Sequence, residues 1–163
     1  MGPDERSTVA LATYRSIEDL EAAIGVETGP GEWLEVTQER VNGFADATDD
    51  HQWIHLDVER AKDGPFGTTI AHGFLTLSLL PYFGNELREL QNVRMAVNYG
   101  LNKVRFPAPV PVGSRLRATS SVLSVKRLDA ASAQVVTQIS VAIDGAGKPA
   151  CVAETVARIY FED

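Results

Sequence analysis

Apolar and polar positions divide this chain into two halves with different periods. In VVTQISVAI, Val135, Thr137, Ile139, Val141 and Ile143 share one face, while Val136, Gln138, Ser140 and Ala142 share the other. That alternation is the mark of a half-buried strand. Residues 93–106, 114–128, 133–144 and 150–161 are all rich in Val, Ile, Thr and Ser, and PAPVPVG, LDAAS and DGAGKP separate them. They read as four long antiparallel strands joined by short turns.

The first half follows helical spacing. Ser16 and Asp19 stand at capping-box distance, with Asp in place of the usual Glu. Ile17, Leu20, Ala23 and Ile24 then fall on one helix face, and Gly25 is a C′ stop. ETGPGE (27–32) is turn material, and Trp33, Leu34 and Val36 suit a short strand. Thr37 can cap a helix reaching about Ala47, with Val41, Phe44 and Ala45 inward, and Asp57 can cap a brief helix, DVERAK. DGPFGTT (63–69) is a loop. The most apolar stretch, IAHGFLTLSLLPYF from Ile70 to Phe83, is too long for a typical strand and reads as a helix buried on nearly all sides. Pro81 ends or kinks it, and NELRELQN (85–92) is a polar tail or a separate turn. A helix apolar all round needs a sheet to wrap it. The expectation is a single α+β domain over 1–163, a curved antiparallel sheet around a central helix, with residues 1–15 loosely held.

Composition narrows the function classes. Asp plus Glu (22) exceed Lys plus Arg (15), a net charge of −7. That balance argues against nucleic acid and anionic membrane as partners, since both require concentrated positive charge. Cys151 is the single cysteine, which excludes an intramolecular disulfide and a cysteine-rich zinc site; its strand context makes it a core residue. MGPDERSTVALATY lacks the basic-then-apolar pattern of a signal peptide, and no apolar run approaches membrane-spanning length. A cytoplasmic protein is expected.

Candidate chemistry gathers in one region. All three histidines, His51, His55 and His72, lie within 22 residues, beside Asp46, Asp49 and Asp50. An irregular loop between two short helices can bring the Asp50 carboxylate and the His55 imidazole to one point, with Trp53 and Ile54 pulling its middle inward. Such a pair can hold one water for acid–base work near neutral pH. Gly73 opens the apolar helix, where unpaired N–H groups can stabilise an oxyanion and the missing Cβ allows close approach. Each residue taken singly has an ordinary structural alternative. Asp50 could be a turn or cap carboxylate, and His55 a buried histidine with one structural hydrogen bond. His72 could cap the helix or bond a loop carbonyl, and Gly73 could simply permit tight packing. His51 and Asp49 are expected in solvent. No helical i, i+4 histidine pair completed by a third ligand is apparent, so no metal is expected. Ser78 lacks the G-x-S-x-G context of a serine hydrolase.

The residues from Phe44 to His55 resemble the hydratase-2 motif of the MaoC-like dehydratases, an aromatic residue followed by S/T-G-D-x-N-P-[LIV]-H. I-A-H-G-F (70–74) resembles the second signature of that family, and NYGLNKVRFPAPVPVGSRLR (98–117) its later block. The resemblance covers about 33–160 and is nearest to single-domain (R)-specific enoyl-CoA hydratases and nodulation-protein-N-like relatives. It implies a hotdog fold, usually a homodimer, that hydrates a trans-2-enoyl-CoA thioester to (R)-3-hydroxyacyl-CoA without a cofactor. Asp50 and His55 then take the places of the catalytic pair, and Gly73 that of the glycine whose N–H meets the thioester oxygen. Gln52, Trp53, His72, Lys103 and Arg105 become candidates for substrate binding, with Arg115 and Arg117 further cations for the CoA phosphates. Asp49 stands where the family has Gly, and Gln52-Trp53 where it has Asn-Pro. Asp49 would raise the pKa of Asp50 if both were buried, and Trp53 would narrow the acyl pocket. Two other functions compete: a hotdog acyl-CoA thioesterase, disfavoured because Ile70–Phe83 carries no acid, and a non-catalytic acyl-CoA-binding or partner subunit.

Overall fold

The computed structural model describes residues 11–162. The four long strands form as the alternation predicts: β5 (Val93–Arg105), β6 (Arg115–Arg127), β7 (Ser132–Ile143) and β8 (Cys151–Phe161). They follow β1 (Ala12–Tyr14), α1 (Ile17–Ala22), β2 (Glu27–Thr28), β3 (Leu34–Glu35), α2 (Gln38–Thr48), α3 (Trp53–Leu56), α4 (Val58–Lys62), α5 (Gly73–Ser78), α6 (Leu80–Leu87) and β4 (Arg88–Leu90). The main sheet is antiparallel in the order β2-β6-β7-β8-β5, with β3 also on β6. On β7, the positions from Val135 to Ile143 that share a face are all buried. That face carries the core and packs against the helices, so the molecule is an α+β hotdog.

Two clusters fill the concave face. One joins Leu75, Leu79, Leu80, Phe83 and Leu87 of the central helices to Leu116, Ala118, Ile139, Val141 and Cys151 of the sheet. Cys151 is thus core, and burial raises its thiol pKa to about 11. The other cluster lies toward the opposite end of the strands, where Tyr14, Ile17 and Leu20 cover Val122, Val135, Ile159 and Phe161. The caps read from the sequence are in place. Ser16 Oγ accepts from Asp19 N, Thr37 Oγ1 from Arg40 N and Asp57 Oδ1 from Arg60 N, each satisfying a donor of a helix's first turn.

Several expectations need correction. The apolar run from Ile70 is not one helix. Ile70 and Ala71 are extended, their N–H groups donating to the carbonyls of Ile54 and Val110, so helix begins only at Gly73. Of an end or a kink at Pro81, the structure has an interruption: α5 stops at Ser78, Leu79 intervenes, and Pro81 sits in the first turn of α6, where a missing N–H costs nothing. Nor is the run buried all round, since Phe74 is 68% and Tyr82 41% exposed. Because α6 continues to Leu87, it also carries an acid beyond the predicted end, Glu86, whose Oε1 accepts from the Tyr82 hydroxyl. Within 27–32, Glu27 and Thr28 pair with β6 rather than forming turn alone. Finally, residues 12–14 are not loose. β1 pairs in parallel with β4, and Tyr14 is buried; residues 1–10 lie outside the described residues. Among the described residues, no helix is long and apolar enough to cross a membrane.

Candidate active site

The loop after α2 begins with a left-handed residue. Asp49 closes the helix at φ 59°, ψ 19°, a conformation glycine adopts freely and a side chain resists. The family glycine that Asp49 replaces therefore has a backbone meaning, and the chain makes the same turn without it. Both Asp49 and Asp50 are exposed, so the burial required for Asp49 to act on Asp50 as expected is absent.

The turn delivers Asp50 to a pair of buried imidazoles. His55 and His72 are 6% and 2% exposed, and their rings stack with centroids 3.8 Å apart at an interplanar angle of 25°. His72 Nε2–H donates to the Asp50 carbonyl at 3.0 Å, the loop-carbonyl role anticipated for it, while its Nδ1 is buried without a partner. His55 Nδ1 stands 2.7 Å from the Ile70 carbonyl. A carbonyl can only accept, so Nδ1 carries the proton and Nε2 of the neutral ring keeps its lone pair. Burial holds the His55 pKa below its ordinary value and the field of His72 acts in the same direction; the Ile70 hydrogen bond and the Asp50 charge oppose them. At neutral pH His55 is an acceptor.

Potential ligand atoms of Asp50, His55 and His72 all lie within 4.8 Å of one another. Sequence spacing missed this three-way convergence because His72 arrives from seventeen positions downstream. The near-parallel stack keeps the two in-plane lone pairs from converging on one centre, which suits proton handling better than tetrahedral coordination.

Residues that the sequence reading passed over hold the cluster together. Gln38, at the start of α2, donates through Nε2 to the His55 carbonyl at 2.8 Å and accepts at Oε1 from the Thr69 hydroxyl at 2.7 Å. One amide thus ties the His55 segment to the strand-like 69–71 segment. Phe44 tilts against His72 at 4.9 Å between centroids. Phe106 covers Gly73, where an added Cβ would stand 3.1 Å from its ring. A glutamine at a helix start and a lone phenylalanine carry no local chemical signature, so only the fold reveals Gln38 and Phe106, whereas Phe44 is the aromatic residue that opens the motif.

The remaining candidates divide. Gly73 is the first residue of α5, following His72. Gln52 is exposed at the start of α3, without a side-chain cap bond. Trp53 packs against Gly64 and under Arg60, whose guanidinium carbon lies 4.2 Å from the ring centre. Lys103 and Arg105 are exposed near the end of β5, close in sequence to Phe106. Arg115 and Arg117 both lie over the Trp33 ring, and Arg115 also pairs with Asp144, so they are engaged elsewhere. His51 is exposed and bonded to Asp46 at 2.9 Å, which raises its pKa.

A family profile described as "MaoC like domain" matches residues 19–143. The chain is 56% identical over 148 residues to 3-hydroxyacyl-thioester dehydratase Z of Mycobacterium tuberculosis, covering 91% of this chain and 98% of the relative. It is 44% identical to Nodulation protein N of Rhizobium leguminosarum bv. viciae, over 90% and 92% of the two chains. Among solved structures, the (R)-hydratase from A. caviae involved in PHA biosynthesis superposes with a TM-score of 0.61 at 28% identity, over 82% and 96% of the chains.

Proposed function

Because the chain belongs to the MaoC-like dehydratase family and is a hydro-lyase, we propose that it adds water to a trans-2-enoyl-CoA thioester to give (R)-3-hydroxyacyl-CoA, and catalyses the reverse dehydration. The observation that carries this reading is the Asp50–His55–His72 convergence beside the first turn of the central helix. The Asp50 carboxylate and His55 Nε2 are both acceptors. A water donating one hydrogen bond to each presents an oxygen lone pair to C3. As its oxygen bonds to C3, the C2–C3 π electrons move toward the thioester carbonyl, whose growing negative charge meets the Gly73 N–H. The proton lost by the water to the Asp50–His55 pair passes to C2, the enolate collapses, and the pair is restored. No cofactor takes part.

Gln52, Trp53, Lys103 and Arg105 are proposed to contact the substrate, the two cations through the CoA phosphates. We place the enzyme in the cytoplasm as a homodimer. β5 supports the dimer: it is thirteen residues long, lies at the end of the sheet order and exposes Met95, Val97, Tyr99 and Leu101 at 42–59%. An unpaired apolar edge of that length is a template for another strand.

Hydration assays over a series of enoyl-CoA chain lengths, with chiral analysis of the product, test the reading. It expects (R)-product. An (S)-product, or binding without hydration at any length, contradicts it, and release of free thiol would identify a thioesterase instead.

A further inference from the structure

The helix that carries His55 cannot hold it alone. α3 is four residues long and no side chain caps its start, and a single helical turn is marginal without outside support. His55 stands one residue from its end, where a helix leaves carbonyls without intrahelical partners. Gln38 supplies the missing partner. Its Nε2 donates to the His55 carbonyl at 2.8 Å and to Asn42 Oδ1, one turn along α2, at 2.9 Å. The His55 carbonyl can only accept, so the amide NH2 faces it and Oε1 is left to the Thr69 hydroxyl. That hydroxyl must then donate, and does so at 2.7 Å from a residue only 2% exposed.

Thr69 precedes Ile70, whose carbonyl stands 2.7 Å from His55 Nδ1. The 69–71 segment is fixed on one side: Val112 N–H donates to the Thr69 carbonyl, and Ala71 N–H to that of Val110. Toward α3, Ile70 N–H reaches the Ile54 carbonyl at 3.0 Å. One bond sets a distance but lets two segments turn about it. The Gln38 amide adds a second attachment, from the His55 carbonyl to Thr69. Two attachments hold the Ile70 carbonyl in line with the imidazole.

We propose that Gln38 and Thr69 are positioning residues that set the tautomer of His55. Together they clamp the Ile70 carbonyl against Nδ1–H and keep Nε2 bare to accept from the attacking water. With the clamp open, the proton can sit on Nε2, which then donates and no longer accepts. This inference rests on the hydratase reading for what Nε2 does, but the tautomer belongs to the protein alone and is measured without substrate.

The test uses Gln38→Met and Thr69→Val, which keep side-chain size and each remove one end of the clamp, their double variant, and Thr69→Ser, which keeps the hydroxyl. Circular dichroism checks folding. Above neutral pH, NMR correlations between ring nitrogens and ring protons of isotope-labelled histidine show which nitrogen is protonated, and His55→Gln identifies the His55 signals. Wild type should carry the His55 proton on Nδ1. Each single variant should show a share of Nε2–H and lose roughly tenfold in kcat with KM little changed, the scale of one hydrogen bond. The double variant should lose no more than either single one, because both remove the same link. Thr69→Ser should recover the Nδ1–H ring. A wild-type proton on Nε2 overturns the proposal without any variant, and so does an Nδ1–H ring kept whole in folded Gln38→Met or Thr69→Val, or a double variant whose losses add. Hydration assays on the same proteins separate the two readings. A tautomer shift in the variants of a protein that hydrates nothing supports the clamp and contradicts the hydratase. Hydration by wild type with the tautomer unmoved in the variants contradicts the clamp and leaves the hydratase standing.

Discussion

The imidazole of His72 is the floor on which His55 lies, 3.8 Å from ring centre to ring centre, and the same ring donates to the Asp50 carbonyl. One side chain thus positions both members of the proposed dyad. His72→Phe keeps a flat ring under His55 and removes the bond to Asp50. The variant is expected to fold and to lose about 10- to 100-fold in kcat, on the scale of removing one positioning hydrogen bond. Removing His72 also removes a field that lowers the His55 pKa. The acidic limb of the pH–rate profile should therefore move to higher pH, and steady-state kinetics across pH 5–8 would show it. An unchanged limb would mean that the stack does not tune His55.

Acidification should also cost stability through His55. Its folded pKa is depressed by burial, so the unfolded chain takes up the proton first as pH falls below about 6.5. The stability it contributes is complete above that value and is lost as pH falls toward the folded pKa. His51, raised by Asp46, acts in the opposite sense at the surface. Urea melts of wild type and His55→Gln between pH 7 and pH 5 should isolate the effect: the variant is expected to lose less stability than wild type over that range.

Asp49 occupies the left-handed region at the end of α2. Asp49→Gly relieves the side-chain cost of that conformation, partly offset by the greater freedom of glycine in the unfolded chain. A gain of about 0.5–1 kcal/mol is expected, with catalysis unaltered. Chemical denaturation and a hydration assay on the same preparation check both halves.

Gly73 faces the Phe106 ring too closely for a Cβ. Gly73→Ala should push Phe106 aside and lower kcat, and pairing it with Phe106→Leu should restore part of the loss. Kinetics of the two single variants and the double variant measure that coupling. Strict additivity would show that the two residues do not share the space.

The homodimer proposed through β5 makes a further prediction. Placing Lys at Val97 and Tyr99 puts like charges on both copies of the edge. Light scattering should then report the mass of one chain where wild type gives two.

Much of the fold is written in local patterns. The alternation from Val135 to Ile143 identifies a buried strand face without reference to anything distant, and Ser16, Thr37 and Asp57 each announce a helix start through a bond to a backbone three residues away. What the sequence hides is non-local. Ile70 and Ala71 have the composition of a helix, but Ile54 and Val110, far apart in the chain, claim their N–H groups. β1 and β4 are three residues each and pair across more than seventy positions. In the site, Asp50, His55 and Gly73 stand out because their residue types match a chemistry and a motif. Gln38 and Phe106 gain a role only once α2 and the end of β5 are brought against the histidines.

The central claim is that Asp50 and His55 activate one water together. Rates of hydration of crotonyl-CoA by wild type, Asp50→Asn and His55→Gln, with circular dichroism to show that all three are folded, test it most directly. The expected result is a fall of about 10²–10⁴-fold or more in kcat for each variant, with the fold intact. A folded variant of either residue that hydrates at the wild-type rate would contradict it.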